Sequence, residues 1–426
     1  MTRIRAFGSD TFRSLRVRNF RLFFVGQIIS QTGTWMQMIA IGLLVLALTD
    51  SGVAVGLVTA AQFLPILVLG AWGGVLADRR DRHHLLIVMN AAGAVVALAF
   101  AVLVLTGSEE LWSVYLLTFA AGTVVALENP ARRALVTDLV AEPDVPNAVG
   151  LNSTMMTTSR VIGPALGGAL IAGPGIGWCF AANAISYVPQ LWLFLRLDRS
   201  RFRPTTLVEK AKGQLREGLR YVWGQPELRL PLLLVTAVGT MAFNFSVIFP
   251  LFATRDLDGS ATTFTTMMSI MSLGSVIGAL SIARRTKADT AFLARCTLAL
   301  GVSMAALALA PGTLTAYVAV VPVGMTSIMV ISGSNAVVQL ATAPAMRGRV
   351  LALLAVVFLG STPIGGPITG WISETVGARW AIALGAVTAL AAGLLTFRAL
   401  HGSKGAQAQH LDTARIESIP LVAPGR

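Results

Sequence analysis

Residues 53–84 read VAVGLVTAAQFLPILVLGAWGGVLADRRDRHH, and the change of character inside this stretch decides the fold. From Val53 to Ala77 there is no charge; Asp78-Arg79-Arg80-Asp81-Arg82 then follow without interruption. A helix needs about 20 apolar residues to cross a hydrocarbon core about 30 Å thick. Val53 to Ala77 is long enough, and the charged block after it marks an aqueous boundary. The same alternation recurs in both directions from this stretch. Apolar runs occupy 20–48, 53–77, 85–106, 111–127, 147–172 and 178–195, then 230–251, 264–283, 291–310, 314–341, 350–372 and 380–399. The reading is an all-α integral membrane protein with twelve transmembrane helices.

Composition agrees. Hydrophobic residues make up 55% of the 426 positions and charged residues 12%, too little charge to cover a soluble surface of this size. The net charge of +13 would point to nucleic acid in a soluble chain, but here the cations are sorted by side. With the N-terminus in the cytoplasm, all of the 33 Lys and Arg except Arg160, Arg255 and Arg379 fall in cytoplasmic segments or at the cytoplasmic ends of the runs. The positive-inside rule therefore predicts both termini cytoplasmic, with no nucleic-acid partner. The first run is longer than a signal-peptide core and is expected to be an uncleaved anchor. Cys179 and Cys296 lie far apart in apolar runs, and neither a metal site nor a cofactor is expected.

The polar stretch from Arg196 to Arg229 divides the runs six and six. Within it VEKAKGQLREGLRYVW, residues 208–223, reads as an amphipathic helix on the membrane surface. The halves echo each other. Gly163-Pro-Ala-Leu-Gly167 returns as Gly366-Pro-Ile-Thr-Gly370, and Arg79-Arg80-Asp81-Arg82 as Arg284-Arg285-Thr286-Lys287, at offsets of 203 and 205 residues. The expected organisation is two pseudo-symmetric six-helix bundles, 1–195 and 230–400, joined by a linker, 196–229, and followed by a disordered tail, 401–426. Parallel repeats of this kind place a substrate site at the midplane between the halves.

GGVLADRRDRHH, residues 73–84, resembles the signature loop of the major facilitator superfamily. Gly74, Leu76, Asp78, Arg79 and Arg82 match; Asp81 stands where that family prefers Gly, and His83 where it prefers a second basic residue. RNFRLFFVGQIISQTGTWMQ, NPARRALVTDLV and SRVIGPALGG resemble the branch that holds siderophore and drug exporters. The resemblance implies a conformational switch: Asp78 set among Arg82, Glu128, Arg132 and the start of the eleventh span near Val350, formed when the cytoplasmic ends of the halves meet. Anchoring of Arg79 and Arg80 to lipid headgroups is the plainer reading of those two residues. Gly163, Pro164, Gly167 and Gly168 resemble the drug and proton antiporter motif. The spacing of Gly163 and Gly167 allows close helix approach, and Pro164 permits a bend.

Polar residues at depth are few. Arg160 falls well inside the fifth span, and a guanidinium there must face protein or water. It is read as a tie to a neighbouring helix, a partner of Glu128 or a cavity contact. Gln27, Gln31, Thr34, Asn244, Asn335 and Gln339 are candidates to line a neutral polar cavity with Arg160. If protons drive transport, Glu128 or Asp78 carries them, since no histidine lies inside a span. The Arg that proton antiporters often carry early in the fourth span is replaced by Thr118-Phe-Ala-Ala-Gly122.

No Gly-Lys pair exists, so there is no nucleotide-binding loop, and no catalytic constellation is present. An enzyme or ATP-driven pump is excluded on these grounds. The expected activity is secondary active export of small drug-like or siderophore-like molecules, as proton antiport by a monomer. Uptake, or movement of lipids or lysolipids, is the alternative on the same scaffold.

Overall fold

The computed structural model describes residues 12–203, 214–283, 289–343 and 346–417. Among these residues there are helices and turns but no strand. The α-helices are α1 (Arg18–Thr49), α2 (Gly52–Arg79), α3 (Arg82–Leu105), α4 (Leu111–Asp138), α5 (Val145–Ala172), α6 (Gly177–Leu195), α7 (Gln214–Trp223), α8 (Pro226–Met241), α9 (Phe245–Leu251), α10 (Ala261–Ala283), α11 (Thr290–Ala308), α12 (Thr313–Ala341), α13 (Arg347–Thr375) and α14 (Ala378–Glu417).

Ten segments among the described residues are long and apolar enough to cross a membrane. The sequence reading expects twelve, and α5 and α6 make the difference. Both have spanning length, but Asn152, Ser153, Thr154 and Arg160 dilute α5, and Asn183, Tyr187 and Gln190 dilute α6. Other boundaries move as well. The fourth run continues as helix beyond 127 to Asp138, because the charged turn ENPARR keeps helical spacing with Ala131, Leu135 and Val136 buried. The seventh run is broken at Ala242–Asn244, and a π-helical turn, Phe252–Asp256, follows α9. The amphipathic segment is helical as α7 from Gln214; residues 204–213 lie outside the described residues. Helix α14 runs on to Glu417, past the expected boundary at 400 and into the segment expected to be disordered, where Ala and Gln favour helix.

Helices α1–α6 pack mainly on one another, with α1 against α5 and α6, α2 against α4, and α3 against α4 and α6. Helices α8–α14 do the same through α10–α12, α11–α12, α11–α14 and α8–α13. Stacked rings at Phe100–Phe180 (5.0 Å) and Phe23–Phe194 (5.8 Å) help to fill the first set. The two sets meet chiefly along α2–α13 and α5–α10. One end of the molecule carries the arginine-rich connections before α1 and between α2 and α3, and is called the basic end. The other carries the short turns at 50–51, 257–260 and 376–377.

Candidate functional site

At the turn end, α2 and α13 approach backbone to backbone. A Cβ on Gly56 would lie 2.5 Å from the Gly366 carbonyl oxygen, and one on Gly52 would lie 2.5 Å from that of Gly370. Only glycine permits this separation. Gly366-Pro367 and Gly370, which echo the motif on α5, supply one side of the contact. Glu374 then reaches from the end of α13 to the start of α2. Its carboxylate accepts from the Ser51 hydroxyl at 2.7 Å and from the Val53 amide at 3.0 Å. A carboxylate here satisfies amides that the first helical turn leaves unpaired and opposes the positive helix end. Arg255 donates to Asp50 at 2.8 Å beside it. These bonds join the first helix set to the second. Glu374 and Asp50 read in the sequence only as loop acids, and nothing local marks them as partners of segments two to three hundred residues away.

The basic end is built differently. Arg82 pairs with Asp138 at 2.7 Å; α4 carries Asp138 ten residues, or about 15 Å, beyond Glu128, where a run ending at 127 conceals it. Asp81, where the family prefers glycine, caps α3 by accepting from the amides of His83 (3.0 Å) and His84 (3.2 Å), and it also pairs with Arg199. His83 is buried and its Nε2 lies 2.8 Å from the Phe194 carbonyl. Arg13 with Asp144 (2.9 Å) and Arg203 with Glu142 (3.2 Å) complete a network inside the first set. Asp198 belongs to it through Asn19, and the Ser200 hydroxyl holds its carboxyl below the usual range. Helix α7 packs on α8 and α13 of the second set, and there Arg349, at the start of α13, pairs with its Glu217 at 2.6 Å. Arg79 is exposed. Asp78 lies in the last turn of α2, and its side chain is outside the described residues. In the signature loop's helix it is Gly73 that touches α4: a Cβ on Gly73 would meet the Ala126 carbonyl at 2.5 Å, whereas one on Gly74 would meet nothing within 4 Å.

Glu128 and Arg132 are buried inside the first set and form a pair at 3.8 Å. Arg132 also contacts Asn129 and the sulfur of Met156. Gln27 lies beside Glu128, fully buried, with neither amide atom hydrogen-bonded among the described residues; Gln190 has the same status. This is a polar knot within one half.

Arg160 occupies the middle of α5. Its guanidinium lies over the Trp35 ring of α1 at 4.6 Å from the centroid, and its backbone carbonyl accepts from Ser272 of α10 at 3.1 Å. It is therefore not the partner of Glu128. One turn on, Gly163 faces Trp35 and the Thr32 carbonyl of α1, Gly167 faces Met36, and Gly168 faces Thr265 of α10. Pro164 is buried among them. The motif thus seats α5 against its own half on one side and against the other half on the next. Of the candidate cavity residues, Gln31, Thr34, Arg160, Asn335 and Gln339 keep accessible surface. Gln27 and Asn244 do not; Asn244 bonds the Thr240 carbonyl at 2.7 Å in the helix break before α9.

The family described as transmembrane secretion effector (MFS_3) matches residues 9–418. The chain belongs to this family of major facilitator transporters. Over 266 residues it is 26% identical to the enterobactin exporter EntS of Shigella flexneri, which covers 62% of this chain and 62% of that protein. It is 26% identical over 277 residues to the staphyloferrin A transporter of Staphylococcus aureus, covering 63% and 67%. Against the multidrug efflux pump Tap of Mycolicibacterium fortuitum it is 24% identical over 358 residues, covering 81% and 87%. The chain thus spans under two thirds to about two thirds of the siderophore transporters it matches and most of the drug pump. Among solved structures it is similar to a bacterial homologue of the lysosomal transporter Spinster, with a TM-score of 0.71, 16% identity, and coverage of 89% of this chain and 97% of that one. A D-xylose–proton symporter gives 0.69, 13%, 90% and 96%. The fold is that of the major facilitators, and the protein is a multi-pass membrane transporter of small molecules, not an enzyme.

Proposed function

We propose that this transporter exports drug-like or siderophore-like organic molecules across the bacterial cytoplasmic membrane by alternating access, in exchange for protons. It works as a monomer of twelve spans, with α5 and α6 completing a first bundle of six and α8–α9 counting as one span in the second. Both termini and the basic end face the cytoplasm.

The observation that carries this reading is the uneven closure of the two halves. Their glycine contacts and bonds, Gly52–Gly370, Gly56–Gly366, Ser51–Glu374, Asp50–Arg255 and Ser272–Arg160, lie between the turn end and mid-depth. At the basic end Arg82, Arg199 and Arg349 pair within their own halves. The arrangement supports a state closed to the outside, with the cleft open to the cytoplasm and ready to load an exported molecule. In the opposite state Asp78 meets the start of α13 near Val350, while Gly74, Arg79 and the Arg82–Asp138 pair shape the loop that carries it. Glu128, held by Arg132, is the leading proton carrier; its burial beside Gln27 suits a carboxylate that changes charge during the cycle. Gln31, Thr34, Arg160, Asn335 and Gln339 line the cleft. The relatives named as exporters support the direction.

The test is accumulation of fluorescent drugs and siderophores by inside-out vesicles, with and without an imposed pH gradient. The reading expects uptake into such vesicles that the gradient accelerates. Gradient-independent accumulation rejects proton exchange, and accumulation confined to right-side-out vesicles reassigns the protein to uptake.

A further inference from the structure

Glu128 and Arg132, two charged side chains at membrane depth among the described residues, neutralise each other inside the first half. Arg160 has no such partner. Among the described residues its guanidinium has no carboxylate within ion-pairing distance and no hydrogen bond; its contact is the Trp35 ring. The residue is only partly buried and keeps accessible surface. An isolated arginine at this depth costs about 2.5–3.5 kcal/mol on insertion scales, and among the described residues no carboxylate offsets it.

The surroundings are those of a prepared site. Its contact with the Trp35 ring uses the face of the guanidinium carbon at 4.6 Å from the centroid, and a guanidinium so placed carries a planar fork of N–H donors that suits a two-point grip on a carboxylate. Gln31 stands one turn from Trp35 on the same face of α1, with accessible surface and a neutral amide. Ser272 holds the backbone of Arg160 from the opposite half at 3.1 Å, so the residue sits at the junction of the two halves, at the mid-depth limit of their contact.

We infer that Arg160, stacked on Trp35, is the anion-binding point of the central cleft, and that the preferred substrates are organic molecules carrying a carboxylate next to an aromatic or other flat group. This rests on the transporter reading above and names the substrate class of that same cleft. A cation would meet repulsion from Arg160, which has no carboxylate beside it among the described residues.

The experiment uses the full chain in lipid nanodiscs, titrated with carboxyfluorescein as the anionic aromatic probe and rhodamine 6G as the cationic one, followed by dye polarisation at fixed chloride. The wild type is expected to bind carboxyfluorescein more tightly than rhodamine 6G. Arg160→Gln should weaken carboxyfluorescein binding at least about tenfold and leave or improve rhodamine 6G binding. Arg160→Lys, which keeps the charge but not the fork, should fall between. Unchanged carboxyfluorescein binding in Arg160→Gln, or tighter rhodamine 6G binding by the wild type, overturns the inference. So does displacement of the dye by added chloride as readily as by benzoate, which assigns the site to inorganic anions. Binding does not depend on direction of transport, so Arg160-dependent binding without accumulation in inside-out vesicles leaves this inference standing and removes the export reading.

Discussion

The two ends of the α2–α13 pair solve the same problem in different ways. The helices run antiparallel, and each carries a carboxylate in its last turn: Glu374 on α13 and Asp78 on α2. At the turn end Glu374 crosses to the other half and caps α2, above glycines that let the backbones touch. At the basic end Arg82 is held by Asp138 and Arg349 by Glu217, each within its own half. Ion pairs across halves hold an end closed, whereas pairs within a half stiffen it so that it moves as a body. At the turn end the structure displays a carboxylate on the first turn of the facing helix, and the same device is what we propose for Asp78 at the basic end.

The predictions test that contrast in falling order of effect. Gly56→Leu drives a side chain into the Gly366 backbone, and overpacking of about 3 kcal/mol or more should hold the turn end open and abolish transport while the protein still inserts; normal turnover would mean the contact is incidental. Asp78→Asn should slow turnover by about tenfold, the upper range for a charge set against a helix start. Its expression and thermal stability should match the wild type, so a loss of stability would mark a merely structural residue. A double-mutant cycle on Arg82→Gln and Asp138→Asn should give a coupling of about 0.5–3 kcal/mol in thermal unfolding; additivity would break the view that the half is braced there. Glu374→Gln keeps the shape but not the charge, and should shift the turn end toward opening about twofold to fivefold, read from spin-label distance populations. Arg255→Gln, which removes an exposed pair, should change that population less than about twofold.

Much of this architecture was legible in the chain because membrane spans and charge asymmetry are written locally: an apolar run and a cluster of Arg need no partner to be recognised. What was not legible depends on helix phase and on contacts between distant segments. Asp138 is hidden because α4 continues past the apolar run, turning from a lipid-facing to an amphipathic pattern. Which of Gly73 and Gly74 touches α4 is decided by a rotation of about 100° per residue, and composition does not report it. Arg160 stands out as a charge in an apolar helix, but Trp35 lies 125 residues earlier, and only the packing of α1 on α5 brings them together. The break at Ala242–Asn244 sits in a run that reads as continuous, and the π turn follows directly on its end. Gln27 and Asn244 looked like cavity residues because burial within a half and exposure to a central cleft leave the same mark in sequence: an amide among apolar neighbours.

The most direct test of the account is a pair of spin-label distances measured in one sample, one across the turn end between the 50–51 and 376–377 turns, the other across the basic end between the α2–α3 connection and the start of α13. Under a pH gradient with substrate, the account predicts that the turn-end distance lengthens as the basic-end distance shortens, with the two populations changing in equal proportion. A turn end that stays closed throughout turnover, or two distances that rise and fall together, would contradict it.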